Sequence, residues 1–494
     1  MSSYTAQVKI SNAPPMARVY TYAQDSQVGP LVEDSVEVSK IGRRLEGPRV
    51  GIWDQEVMKA SADSNGDFLI KPDRRQFDQV QAFVSSQKTL DLFEAYAQRS
   101  LPWAFDNETL GVGPHAGEGV NAYYQRFAES VSFYYFDSKA LGKQVQTAQS
   151  ADVVSHETGH AILDGLKPEY GHTFERETKA FHEAFGDCAA MLLTLSRPVN
   201  CQHILDQSGG DLSHENCLSR LGEEFGTAVR RLNNNPADDR DYLRTHLNPF
   251  TYVDPNTLPS DGPRDELSGE SHSFCQVWSR AFYQAVAGIF AQQPGRDAAD
   301  LQRSGEIVGH LFTLGTQMAS PARARYAQVA SAMVRADRLL YDGQHSQALQ
   351  QAFASANIAC DLEEVPDFTW QQRPTNASEA QTLVDQLAPQ GSGFVAQRVI
   401  QDGHGFTLVD GLRKETLRHQ QHGVSSEVAE GITLTFDGNG RLLHRVYDQP
   451  SQDSERVGLG DELRRLPNGP ASWQAVRNLA DGTLLVARLP VFVD

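Results

Sequence analysis

The stretch that most restricts this chain is His156-Glu157-Thr158-Gly159-His160. Residues four apart share one face of a helix. In a helix both imidazoles can therefore reach a single metal ion, while Glu157, offset from that face, reaches a water instead. The flanks support a helix, with Ser150 as N-cap and Gly165 as terminator. Gly159 works against it, at a cost of about 1 kcal/mol in a helix interior, so packing must hold the segment.

A further donor comes from His182-Glu183-Ala184-Phe185-Gly186-Asp187 on the next predicted helix, from about Thr178 to Ser196, whose apolar side carries Phe181, Phe185, Cys188, Met191 and Leu192. Glu183 offers a carboxylate oxygen. Asp187, one turn later, can accept a hydrogen bond from a ligand histidine and so fix its tautomer. His172, Glu175, Glu177 and His182 also compete for the third ligand position, but only Glu183 carries the matching ExxxD context. The longer pattern HExxHxxGxxH fails, because Leu163 and Leu166 stand where glycine and histidine are required. Two histidines and a carboxylate leave a fourth coordination position open, the arrangement of a catalytic zinc and not of a structural one.

The chain is long enough, at 494 residues, for two or three domains. A strand-rich lobe with one long helix is expected over 1–150, a helical lobe over 151–360, and an appended α+β module over 361–494. In the first lobe ARVYTY and DFLIKP read as strands, with SNGD as a turn between them; Asp63, Asn65 and Asp67 belong to that turn and not to a calcium loop. Val80, Phe83, Val84, Leu90, Phe93 and Tyr96 mark a helix over 76–99, and the aromatic stretch from Asn121 reads as strand. Helical patterning recurs at 271–292, 304–318, 323–340 and 345–357. Past Cys360 a polar, proline-bearing linker leads to VAQRVI, GITLTF and RLLHRVY, strand segments with DGNG as a hairpin turn.

A net charge of -19 argues against a nucleic-acid partner. No apolar run is long enough to cross a membrane as a helix. The first residues lack the basic start and apolar run of a secretory signal, so a cytoplasmic location is expected, with export by an unrecognised route as the alternative. The cysteines, five and scattered, read as buried thiols.

The chain resembles the thermolysin-like zinc metallopeptidases, the gluzincins. DVVSHETGHA is similar to that family's zinc helix and HEAFGD to its glutamate-ligand helix. Asn121-Ala122-Tyr123-Tyr124 resembles the edge segment that hydrogen-bonds the substrate backbone. The segment from Arg244 to Pro255 resembles the one whose arginine binds the substrate carbonyl past the scissile bond, and SGESHSFCQVWSRAFY the one with the transition-state histidine, here His272. The matches run in order from about 75 to 360. The resemblance implies a two-lobe α+β peptidase with His156, His160 and Glu183 on zinc, Asp187 behind them, Glu157 as general base, His272 and Tyr170 stabilising the oxyanion, and Asn121, Ala122 and Arg244 binding a peptide or protein substrate. It departs in one place: Leu267 stands where the family has the aspartate that orients the histidine, leaving Asp265, Glu266 and Glu270 as candidates. The calcium pair of the relatives is not expected. Asp152 fills its first acidic place, but Thr194 stands at the second and LSRPVN follows without an acid. The expected activity is zinc-dependent endopeptidase; the alternative is a non-catalytic protein-binding member of the same fold.

Overall fold

The computed structural model describes residues 14–229, 241–362, 364–419, 424–448, 452–465, 473–478, 484–488 and 491–493. Its first lobe holds a mixed five-stranded sheet in the order Val491–Val493, Ala122–Gln125, Ser130–Phe133, Leu110–Gly113, Val50–Ile52. Beside it, strand Met16–Tyr22 pairs antiparallel with Leu31–Glu37. The segment 67–72 also reads as a strand from the sequence. That segment contributes only a bridge from Phe68 to Val19, because Asp67 is drawn to Arg18, and Asp63 closes the turn by accepting the Asn65 and Asp67 amides at 2.8 and 3.0 Å.

Helix Gln76–Ala97 joins the two lobes. Its predicted apolar residues are all buried, and so are polar residues that find partners on the zinc-motif helix: Thr89 Oγ1 lies 2.9 Å from Ser155 Oγ, and Thr158 Oγ1 donates to Ser86 at 3.0 Å. The second lobe is built from helices Ala151–Leu166, Arg176–Leu195, Ser271–Ala291, Ala298–Met318, Tyr326–Leu340 and Ser346–Ser355. These match the helical patterning read from the sequence to within a few residues, apart from an earlier start at Ala298. Helix Pro198–Ser208, between the second and third of these, was not anticipated. One apolar cluster runs from Ala17 to Leu408, so the two lobes share a core that also takes in part of the module beyond residue 360.

The module after residue 360 has its own core, built around Leu383, Val384, Ile432, Leu434 and Phe436. Strands Val395–Gln401, Thr407–His419, Val424–Phe436 and Leu442–Asp448 form an antiparallel meander, with the DGNG turn closing the last hairpin. The long strand Thr407–His419 and helices Ala377–Leu387 and Gln452–Arg465 were not read from the sequence. The module docks on the helical lobe through buried charges. Arg323, 1% exposed, bonds Glu175 and the Ala429 carbonyl and lies 2.6 Å from Asp448. Lys167 donates to the carbonyls of Gln317 and Ala319 at 2.8 Å and faces Asp410 at 3.8 Å.

Removing one partner of a buried ion pair leaves the other charge uncompensated. Arg323→Met should therefore destabilise the chain by about 3–5 kcal/mol, measured as the shift in urea-induced unfolding. A change near zero would mean that this cluster does not fasten the module in solution.

Candidate metal centre

Every residue of helix Ala151–Leu166 is buried. Ser150 caps it, its hydroxyl accepting the Val153 amide at 3.3 Å. The cost of Gly159 is explained by what lies against it: a Cβ there would meet the Ala189 methyl at 2.9 Å and Gly186 Cα at 3.1 Å. The zinc-motif helix and helix Arg176–Leu195 thus cross in close contact at two facing glycines. A Cβ on Gly186 would strike the His156 ring at 2.6 Å.

This crossing brings the donors together. The His156 and His160 rings stand 4.7 Å apart and nearly perpendicular. Their Nε2 atoms lie 3.4 and 3.7 Å from Glu183 Oε2. Tetrahedral ligands 2.0–2.1 Å from a zinc ion are separated by about 3.3 Å, so the three atoms fit around one ion. The ligand atoms of His156, Glu157 and His160 also lie within 4.8 Å of one another. Burial alone would raise the Glu183 carboxyl, but His272, His160 and His156 outweigh it and hold it at about 2.

The supporting contacts are specific. His156 Nδ1 lies 3.1 Å from Asp187 Oδ1, the contact expected of Asp187. That oxygen also accepts from Arg244 Nη2 at 2.8 Å, and Oδ2 accepts from Ser279 at 2.8 Å. Against the effect of burial, Arg244, His156 and His246 hold the Asp187 carboxyl well below the usual range. His160 Nδ1 lies 3.0 Å from His182 Nδ1, so the structure places His182 beside His160, where the sequence offered it as a competing ligand. His172, Glu175 and Glu177, which competed with Glu183 on sequence grounds, are engaged elsewhere: His172 with Arg126, Glu175 with Arg323 and Arg325, and Glu177 with the Tyr326 amide.

Which acid faces His272 is now visible. Glu270 caps helix Ser271–Ala291 by accepting the amides of His272 and Ser273, and its Oε1 lies 2.9 Å from His272 Nδ1. This turns His272 Nε2 towards the centre, 3.2 Å from Glu183 Oε2. A cavity of about 300 Å³ opens beside it, lined in part by Arg244, Ser268, Glu270 and Gln276. Ala122 begins the strand Ala122–Gln125, with Asn121 Oδ1 accepting the Ala122 amide at 2.9 Å. Tyr124 Oη donates to Asp164 at 2.7 Å and so ties this strand to the zinc-motif helix.

Tyr170 is the exception. Its ring is fully buried and its hydroxyl donates to the Ser320 carbonyl at 2.7 Å. The short helix Pro168–Gly171 turns it into the junction with the C-terminal module, so it is not placed to donate to an oxyanion.

Two histidines and a glutamate from crossed helices, with a histidine facing them, define a thermolysin-like metallopeptidase of the gluzincin type. The chain belongs to the fungalysin metallopeptidase (M36) family, whose model matches residues 56–361, and is a zinc metalloendopeptidase. Among curated proteins none matches it.

The region considered for calcium is more acidic than its local sequence suggested. Asp152 is joined there by Asp25, Glu223 and Glu224, all buried, the last two from beyond the segment following Thr194. Asp152 accepts from Gln24 and Thr194 at 3.2 and 3.4 Å. Burial and the neighbouring acids push Asp25 up to about 7 and Glu223 up to about 8; burial pushes Asp152 up to about 6.

Two outcomes follow. A methyl on Gly186 must displace the His156 ring, so Gly186→Ala should weaken zinc binding about 10–100-fold, read by competition with a metallochromic chelator; unchanged affinity would show that the helices yield instead. The raised carboxyls mean that the folded chain holds protons the unfolded chain has released. Their contribution to stability therefore falls as pH rises from about 4 through 8. Glu223→Gln should flatten that slope, narrowing the gap in Tm between pH 5 and pH 8, and an unaltered slope would remove this cluster as its source.

Proposed function

We infer that the chain cleaves peptide bonds with His156, His160 and Glu183 holding zinc, Glu157 as general base and His272 as oxyanion donor. The observation that carries the reading is the pair of distances, 3.4 and 3.7 Å, from Glu183 Oε2 to the two histidine Nε2 atoms. Zinc bound there would polarise the scissile carbonyl and make water more acidic. Glu157, buried beside the histidines, takes the proton of the attacking water and delivers it to the departing amine. His272, steadied by Glu270, presents Nε2 to the carbonyl oxygen as it becomes negative. Arg244, held by Asp187 at the rim of the cavity, binds the substrate carbonyl past the cut. Asn121 and Ala122 bind the substrate backbone by strand addition. Zinc is the sole metal proposed: the Asp152 oxygens are engaged by Gln24 and Thr194.

A purely binding role is disfavoured, since it needs neither Glu157 nor an oriented His272. Glu157→Gln should keep zinc and lose nearly all turnover of a mixed peptide library followed by mass spectrometry; retained turnover would remove it as the base. His272→Ala should lower kcat by about 10²–10³ with zinc retained, whereas an effect on KM alone would limit His272 to binding. Melts with a calcium-selective chelator should leave Tm unchanged, and a fall of many degrees would overturn the single-metal proposal.

A further inference from the structure

Strand Ala122–Gln125 has a neighbour on each side. Ser130–Phe133 pairs with it antiparallel on one. On the other lie residues 491–493, also antiparallel, with Val491 opposite Gln125, Phe492 opposite Tyr124 and Val493 opposite Tyr123. Without them, Ala122–Gln125 would be the sheet's edge. Antiparallel addition to an exposed edge is how a sheet captures an extended peptide, and here the added strand runs towards Ala122 and Asn121. It comes from the far end of the chain, from a module that is itself anchored to the helical lobe. Helix Gln452–Arg465 is fastened beside the start of the glutamate-ligand helix: Asp461 Oδ2 accepts from Arg176 Nε at 2.7 Å, Glu462 pairs with Lys179 at 2.7 Å, and Glu455 accepts the Phe174 amide at 2.9 Å. A Cβ on Gly458 would lie 1.7 Å from the Phe174 carbonyl oxygen, so the helix backbone itself rests on that loop.

We propose that residues 491–493 occupy the peptide-binding edge of this peptidase and that the C-terminal module is its intramolecular inhibitor, displaced by an extended substrate. This rests on the assignment of Asn121–Ala122 as the substrate edge. A tethered strand acts at a high effective concentration, so a short contact suffices to compete with free peptide.

The test uses the full chain carrying Glu157→Gln, with and without Phe492→Pro/Val493→Pro. Adjacent prolines remove a ladder donor whichever of the two positions supplies it. The probe is a fluorescent peptide with the chain's own sequence from Leu485 to Val493, followed by anisotropy. Binding at least tenfold tighter to the proline variant is expected; equal affinity overturns the proposal. Hydrogen exchange on the unsubstituted chain gives a reading independent of whether the variant folds. Protection of Tyr123–Gln125 amides on the 491–493 side is expected, and exchange at an open-edge rate overturns the proposal. Turnover is read separately with Glu157 intact: its absence from both chains would count against the peptidase reading, while the binding comparison still decides the inhibitor.

Discussion

The structure depends on how closely two helices approach. Gly159 and Gly186 face each other with no side chain between them, and the His156 ring rests where a Gly186 methyl would be. That contact sets the separation of the histidine pair from Glu183 and brings Asp187 within reach of His156 Nδ1. A wider crossing would leave the same residues in the same sequence order without a common centre. Gly159, unfavourable when only its own helix is considered, is therefore required by the pair of helices.

Buried carboxylates serve opposite ends on either side of this crossing. Asp187 and Glu183 are surrounded by Arg244 and histidines, which keep them ionised despite burial. Asp25, Asp152 and Glu223 lie near one another; burial raises all three carboxyls, and neighbouring acids raise Asp25 and Glu223 further. Residue type does not distinguish the two groups; the sign of the neighbouring charge does. The ionised set orients histidines, and the other makes the lobe sensitive to pH.

The module beyond residue 360 shares a little of the main apolar core through Leu408 and is fastened by buried polar contacts. Arg323 and Lys167 reach it from the peptidase lobe, Arg176 and Lys179 receive acids from helix Gln452–Arg465, and the final described strand joins the peptidase sheet. Charges with fixed partners favour one docked orientation more than an apolar face does, because each misplaced partner leaves a buried charge exposed to its desolvation cost. Such docking suits a segment that must meet a particular sheet edge.

The zinc-motif helix, the glutamate helix and the four helices from Ser271 to Ser355 were legible in the sequence because each carries its own periodicity, cap or ligand spacing. Glu183 and Asp187 could be selected for the same reason, being one turn apart on a single helix. What joins distant segments was not legible. Glu270 could not be separated from Asp265 and Glu266 until the helix start showed which carboxyl reaches the ring. His182 needed the helix crossing to be recognised as the neighbour of His160. Tyr170 lay at a suitable distance along the chain, yet the short helix Pro168–Gly171 turns it inward to Ser320. The acids gathered around Asp152 come from three separate segments. The sequence by itself determined which residues can do chemistry and on which helices they sit, because those are local properties. Tertiary structure alone decided which of them meet, since contacts between segments far apart in the chain depend on how whole elements pack.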